Sequence, residues 1–168
     1  MSSTSAPGGG LRPLYANAPC VLVLGSFPSG LSLAHSEYYG NPRNRFWAVM
    51  EAIFGIPATL PYAERSMRLQ KEGVALWDVV GSCSRTGSAD STIRNPVPND
   101  IRGFVRGHPS VRLIALNGST AGRLFHRFAD GAGIPSVTLP STSPANAAVT
   151  FAEKVRKWQV VRDACTRD

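Results

Sequence analysis

Ten consecutive residues, Tyr38-Tyr39-Gly40-Asn41-Pro42-Arg43-Asn44-Arg45-Phe46-Trp47, bring aromatic rings, amides and guanidinium groups onto one short stretch. Aromatic faces stack on planar rings, including bases turned out of a nucleic-acid stack. Amides read base edges or hold water, and free N–H groups at a helix start bind anions. A second segment, Gly25-Ser26-Phe27-Pro28-Ser29, lies upstream. It is neither a phosphate loop, since no GK[ST] follows, nor a G-x-G-x-x-G dinucleotide turn. Read alone it is a strand-to-loop turn. Cys20, Cys83 and Cys165 are dispersed, as are His35, His108 and His126, and no spacing suits a metal. Neither a metal nor a cofactor is expected, and the thiols should be reduced.

These segments need elements to position them. Residues 20–24 form a continuous apolar run closed by Gly25, which reads as a buried parallel strand. A Gly/Ser/Pro-rich loop follows over about residues 26–44. Phe46, Val49, Met50 and Ile53 then fall at i, i+3, i+4, i+7, a helix with one buried face that Gly55 and Pro57 end. A short helix is expected over 62–71 and a second strand over 74–77. Residues 81–98 are polar, with Gly and Pro, and read as a long loop of the kind that tends to carry function. Asn99 or Asp100 caps a helix bearing Ile101, Phe104 and Val105. A third strand spans 111–116 and a helix 120–129. A short fourth strand spans 137–139. Thr150 caps a last helix with Phe151, Val155, Trp158 and Val161 on its apolar period.

This alternation predicts an α/β fold of three layers, α/β/α, around a central, mainly parallel four-stranded sheet. Ligands of such sheets bind beyond the carboxyl ends of the strands. The loops after Leu24, Trp77, Leu116 and Leu139 should therefore converge on one cleft. The chain of 168 residues suits one domain, with residues 1–12 as a disordered tail and 13–168 as the folded unit. The start, MSSTSAPGGG, lacks the basic and apolar stretches of a signal peptide. No apolar run is long enough to span a membrane. The net charge of +7 comes mostly from arginine, which pairs well with phosphate oxygens.

The order of blocks carries more information than any one of them. G-S-F-P-S, Y-Y-G-N-P-R-N-R-F-W, G-V-A-L-W-D-V-V-G-S-C-S-R, D-S-T-I, L-N-G and L-P-S-T-S-P-A-N together resemble the hypoxanthine-DNA (deoxyinosine) glycosylases of the uracil-DNA glycosylase superfamily. The resemblance covers roughly residues 20–158. It implies the uracil-DNA glycosylase-like fold and a cofactor-free reaction. A nucleotide is flipped out of DNA, and its N-glycosidic bond is hydrolysed. The mismatch-specific branch positions water with an Asn two residues after the motif glycine, where this chain has Phe27. The water-holding amide must then come from elsewhere: Asn44 first, Asn41 second, although Asn44 also suits a helix cap. The resemblance implies base contacts from Ser26, Phe27 and Tyr39, Tyr39 being otherwise a core aromatic.

Asp78 closes strand two, where the wider superfamily often has a base-reading Asn. A carboxylate accepts only, so it would take the N1–H of hypoxanthine and meet a bare acceptor on adenine. Its alternative is a strand-end carboxylate bonded to the backbone of residues 81–85. Ser141, Thr142, Ser143, Pro144 and Ala145 match the loop that grips flanking phosphates, with Arg43 as a further DNA contact. Ala145 stands where a bulkier wedge is usual. The turn Asn117-Gly118-Ser119 is expected to pack the next helix, with a direct base contact as the lesser alternative.

The leading expectation is a monofunctional glycosylase releasing hypoxanthine, since no lysine in these motifs offers a Schiff base. Its partner would be DNA containing deaminated bases, with no membrane. The protein would be a cytoplasmic monomer, nucleoid-associated if bacterial. The rivals are a uracil/thymine mismatch glycosylase, a non-catalytic lesion binder and an unrelated nucleotide-binding α/β domain.

Overall fold

The computed structural model describes residues 8–130 and 132–166. Its elements in chain order begin with β1 (Gly8–Gly9), β2 (Val21–Gly25), α1 (Gly30–His35), α2 (Phe46–Phe54), α3 (Tyr62–Lys71), β3 (Val74–Asp78) and β4 (Val80–Ser84). A single 3-10 turn, Asp90–Thr92, precedes β5 (Arg94–Pro98). Then come α4 (Ile101–Gly107), β6 (Leu113–Asn117), α5 (Ser119–Phe128), β7 (Ser136–Leu139) and α6 (Phe151–Thr166).

The main sheet is four-stranded, ordered β3-β2-β6-β7, and every pair in it is parallel. Strand β2 lies inside the sheet with helices on both faces, so all five of its residues are buried. That is why it reads as an unbroken apolar run rather than an alternation. Its side chains divide by parity. Val21 and Val23 pack with Phe46, Met50, Leu69 and Trp158, which come from α2, α3 and α6. Leu22 and Leu24 pack with Ile101, Phe104 and Phe125, from α4 and α5. The result is the expected three-layer arrangement.

Four local expectations need correction. Residues 81–98 are not a plain loop: β4 and β5 pair antiparallel, and β1 adds to the other side of β4. Gly, Ser and Pro disguise these strands, because a proline-bearing strand is tolerated at a sheet edge, where no donor is needed. The expected tail is ordered from Gly8 onward: Gly8 pairs with Cys83, Gly10 N donates to Gly81 O, and Leu11 and Leu14 pack on the core. The rest of that tail, residues 1–7, lies outside the described residues. The loop over 26–44 contains α1, capped by Ser29, whose hydroxyl accepts from Ser32 N at 3.1 Å. Helix α6 buries Lys154, Trp158, Val161 and Ala164, and leaves Phe151 exposed beneath the Arg45 guanidinium.

Gly118 joins β6 to α5 with φ +99°, a conformation side chains rarely adopt, and an added Cβ would sit 2.9 Å from Ser141 Cβ. Backbone strain and steric contact thus oppose any side chain there. Gly118→Ala is expected to cost about 1–3 kcal/mol by chemical denaturation; a loss below ~0.5 kcal/mol would show that the turn relaxes freely.

Candidate active site

The carboxyl ends of the four parallel strands present Gly25, Asp78, Asn117 and Leu139 to one cavity of about 890 Å³. The loops after all four strands line it, as the topology requires.

Asp78 forms part of its floor. It is the register partner of Gly25 across β2 and β3, and a Cβ at position 25 would lie 2.6 Å from Asp78 Oδ1. The missing methyl on Gly25 is therefore what admits the carboxyl. The side chain is 5% exposed, and its Oδ2 is fully buried without a hydrogen-bond partner. The backbone bonds to residues 81–85 that would make it a structural carboxylate are not formed. Instead Asn99 Nδ2 donates to Asp78 O at 2.8 Å, leaving the carboxyl to the cavity. Burial, with a smaller push from the Asp90 charge, raises its pKa to about 7 against the pull of Arg85.

Tyr39 serves the core and the cavity together. Its ring stacks on Phe46 with centroids 4.0 Å apart, while the residue also lines the cavity. Its φ of +55° is unusual for a bulky side chain. Its hydroxyl bonds Asn117, and burial pushes its pKa well above the ordinary phenol value. Asn117 holds the opposite loop as well: Nδ2 donates to Thr142 Oγ1 and Oδ1 accepts from Thr142 N, both at 3.0 Å. Trp158 Nε1 donates to Pro140 O at 2.9 Å, Asn146 Nδ2 to Ser141 O at 3.2 Å, and Lys154 Nζ to Asn146 O at 2.9 Å. The loop over 140–146 is thus fixed at several points before any ligand arrives.

A profile of the Uracil DNA glycosylase superfamily matches residues 13–164, nearly the whole chain. The chain belongs to the uracil DNA glycosylase superfamily. It is similar to a protein of Methanosarcina acetivorans named hypoxanthine DNA glycosylase, 39% identical over 75% of this chain and 80% of the relative. A protein of the same name from Methanosarcina barkeri is 29% identical over 82% of this chain and 87% of that relative. Among solved structures, the solution NMR structure of a candidate uracil DNA glycosylase from Methanosarcina acetivorans superposes with a TM-score of 0.82. It is 33% identical, and the match covers 95% of this chain and 99% of that one.

Most of the residues expected at the glycosylase site do line the cavity: Ser26, Phe27, Tyr39, Asn41, Asn44 and Asp78. Ser141, Ser143, Pro144 and Ala145 line its lip. Asn44 and Asn41 both use their Oδ1 locally, accepting from Phe46 N and Arg43 N at 2.9 Å each. Asn44 thus closes the start of α2 and lines the cavity at once. Arg43 is exposed and is not part of the lining. Thr142 is wholly buried, its hydroxyl turned to Asn117. It anchors the loop rather than presenting a hydroxyl outward, because Asn117 meets both its backbone and its side chain.

Four residues take parts that the sequence reading did not give them. Asn117 is a hub of the cavity rather than a mere turn residue. Asp90 enters the lining from the 3-10 turn. Lys154 is buried, and exposed Lys157 lines the cavity. The D-S-T-I block pointed to Asp90 and the L-N-G block to Asn117; nothing in the local sequence pointed to the two lysines. Among the described residues no group of three or more His, Cys, Asp or Glu is placed to hold a metal, and no helix is long and apolar enough to cross a membrane.

The raised pKa of Asp78 makes a stability statement. Its ionisation is easier in the unfolded chain, where the pKa is near 3.8, than in the fold. The stability carried by the protonated carboxyl is complete below about pH 4 and is lost as the pH rises through about 7. Asp78→Asn, which cannot ionise, should gain more stability over the parent at pH 8 than at pH 5, by roughly 2 kcal/mol or several degrees in Tm. Thermal melts at the two pH values check this. Equal gains at both would place Asp78 in an ordinary aqueous setting.

Proposed function

We propose that this chain is a monofunctional glycosylase that releases hypoxanthine from deoxyinosine in DNA, working as a cytoplasmic monomer. The observation that carries the reading is the Asp78 carboxyl, buried at the cavity floor with an oxygen unpartnered. A buried acceptor without a donor seeks one from the ligand. Hypoxanthine offers N1–H beside O6. Adenine offers a lone pair at N1, which an ionised carboxylate repels. Near neutrality Asp78 passes between two forms. The ionised form accepts N1–H and rejects adenine; the protonated form accepts N1–H and also donates to O6. The names of the two Methanosarcina relatives support the same base.

The remaining parts follow from the reaction. The transition state carries positive charge on the sugar and negative charge on the departing base. Fixed donors and a water-excluding cavity favour it. Phe27 and Tyr39 wall the flipped base. Asn44 holds the attacking water through its free Nδ2, with Asn41 as its neighbour. Ser141, Ser143, Pro144 and Ala145 meet the flanking phosphates. Uracil presents a like N3–H beside O4, so it is the competing base.

The test is base release from duplexes carrying one inosine, uracil, xanthine or mismatched thymine. Hypoxanthine should leave fastest, with strand breaks only after alkali or heat. Asn44→Ala should slow release by about 10²-fold, far more than the roughly 1 kcal/mol of stability lost with the cap explains. Uracil as the main product would move the chain to the mismatch-specific reading. Spontaneous strand cleavage would overturn monofunctionality and direct attention to Lys157. Binding without release would favour a lesion binder.

A further inference from the structure

The hydrolysis needs a group that takes a proton from the attacking water, and neither candidate amide can be that group. Asn41 and Asn44 commit their oxygens to Arg43 N and Phe46 N, so what they offer the cavity is mainly an N–H donor. A donor orients water but does not deprotonate it. Two carboxyl groups line the cavity, Asp78 and Asp90. Asp78 sits at the sheet edge, where its part is to read the base.

Asp90 comes from the 3-10 turn between β4 and β5. The hydroxyl of Ser26, the residue after the Gly25 that makes room for Asp78, is near enough to favour its ionised form. The arm carrying it is tied back to α1, where Gly30 N donates to Ser88 Oγ at 2.9 Å. Asp90 also lines a second cavity of about 390 Å³, whose walls include Arg123 and Arg127 of α5. It therefore stands between the main cavity and a side groove open to water. A nucleotide filling the main cavity would leave that groove as the path by which water reaches the reacting carbon.

We propose that Asp90 is the general base of this glycosylase, taking a proton from water that reaches C1′ of the flipped nucleotide from the Arg123 side. The inference rests on the reading of the chain as a glycosylase that flips its target. The water oxygen bonds to C1′, and one of its protons passes to the Asp90 carboxylate. The N9–C1′ bond breaks, and its electron pair leaves with the base. The proton held by Asp90 is then returned through solvent, and the base departs neutral. The products are free base and a sugar bearing hydroxyl at C1′, with no other reactant required.

The surroundings suit the role. Asp90 is exposed at the tip of the arm, and partial loss of solvation where it lines the two cavities raises its pKa, while the Ser26 hydroxyl, Arg85 and Arg123 restrain it. The other titratable groups within its field are Asp78, Tyr39 and Cys83. A carboxylate whose pKa is raised accepts a proton more readily than an ordinary one does.

The experiment is single-turnover base release, with DNA affinity measured in parallel, on the duplex that the parent protein cleaves best. Asp90→Asn should slow release by about 10²-fold or more, with the Kd for DNA unchanged or tighter, since a negative charge is removed. Added formate should restore part of the rate to Asp90→Ala. Ser26→Ala removes a hydroxyl that favours the ionised form, so the acid limb of the pH–rate profile should move to higher pH. Release by Asp90→Asn within about threefold of the parent overturns the proposal. So does a loss of rate matched by loss of DNA binding. A parent that releases no base from any duplex defeats the glycosylase reading itself; an active parent with an active Asp90→Asn defeats only the assignment of Asp90.

Discussion

Gly25 and Asp78 end two parallel strands as register partners, and the cavity is built around what passes between them. The glycine carries no Cβ, and the carboxyl occupies the space a methyl would need. Strands β2 and β3 are held in that register by packing from both faces, so the carboxyl cannot swing away into solvent. Its burial is the source of its raised pKa and of its unmatched oxygen. An unpartnered buried acceptor costs free energy, and the large apolar core on both sides of the sheet offsets that cost. The sheet thus supports an unfavourable local arrangement that a ligand donor relieves.

The same logic of fixing groups in advance governs the rim. Asn117 bonds Tyr39 on one side and both polar groups of Thr142 on the other. It links the segments that follow β2, β6 and β7. Arg45 N donates to Thr142 O, which ties the start of α2 to the same loop. These bonds take up the inward-facing groups of residues 140–142, and on the proposed reading the outer part of the loop would meet the nucleic acid. A loop already ordered loses less entropy on binding, and its donors need not reorganise as charge develops. Tyr39, held at positive φ and stacked on Phe46, is fixed by the same network.

How much of this was legible depended on the range of the interactions. Strands β2, β3 and β6 could be read because a two-sided burial leaves continuous apolar runs. Helix α2 could be read because its buried face repeats at helical spacing. The convergence of Gly25, Asp78, Asn44 and the 140–146 loop followed from parallel topology and from the resemblance of their motifs. Strands β4 and β5 could not be read, since their sequence is Gly, Ser, Pro and Arg, and their pairing is set by the chain's exit from β3. Lys154 was hidden for a different reason: a lysine inside an apolar face reads as an interruption, whereas its ammonium is held by the Asn146 carbonyl, eight residues earlier in the loop before α6. The L-N-G and D-S-T-I blocks mark Asn117 and Asp90, but their roles depend on partners far away along the chain, which no local pattern records.

A cavity holding two carboxyl groups is an unexpected feature in a protein with net charge +7 that acts on a polyanion. The arrangement is consistent once the charges are separated by depth. On the proposed reading, phosphates would remain outside, against the loop over 140–146, Lys157 and the basic exterior, where attraction is long-range and sequence-independent. Within the cavity, negative charge repels a phosphate but welcomes the N–H edge of a base. It also lies near the sugar, where the transition state turns positive. On the proposed reading, the buried Asp78 carboxyl, the exposed Asp90 beside it and the basic groups at the rim would favour one orientation of a flipped nucleotide, base inward and backbone outward. On that reading, neutralising Asp78 would remove the preference while leaving overall attraction to DNA almost unchanged, which would place the choice of base at the cavity floor rather than on the basic surface.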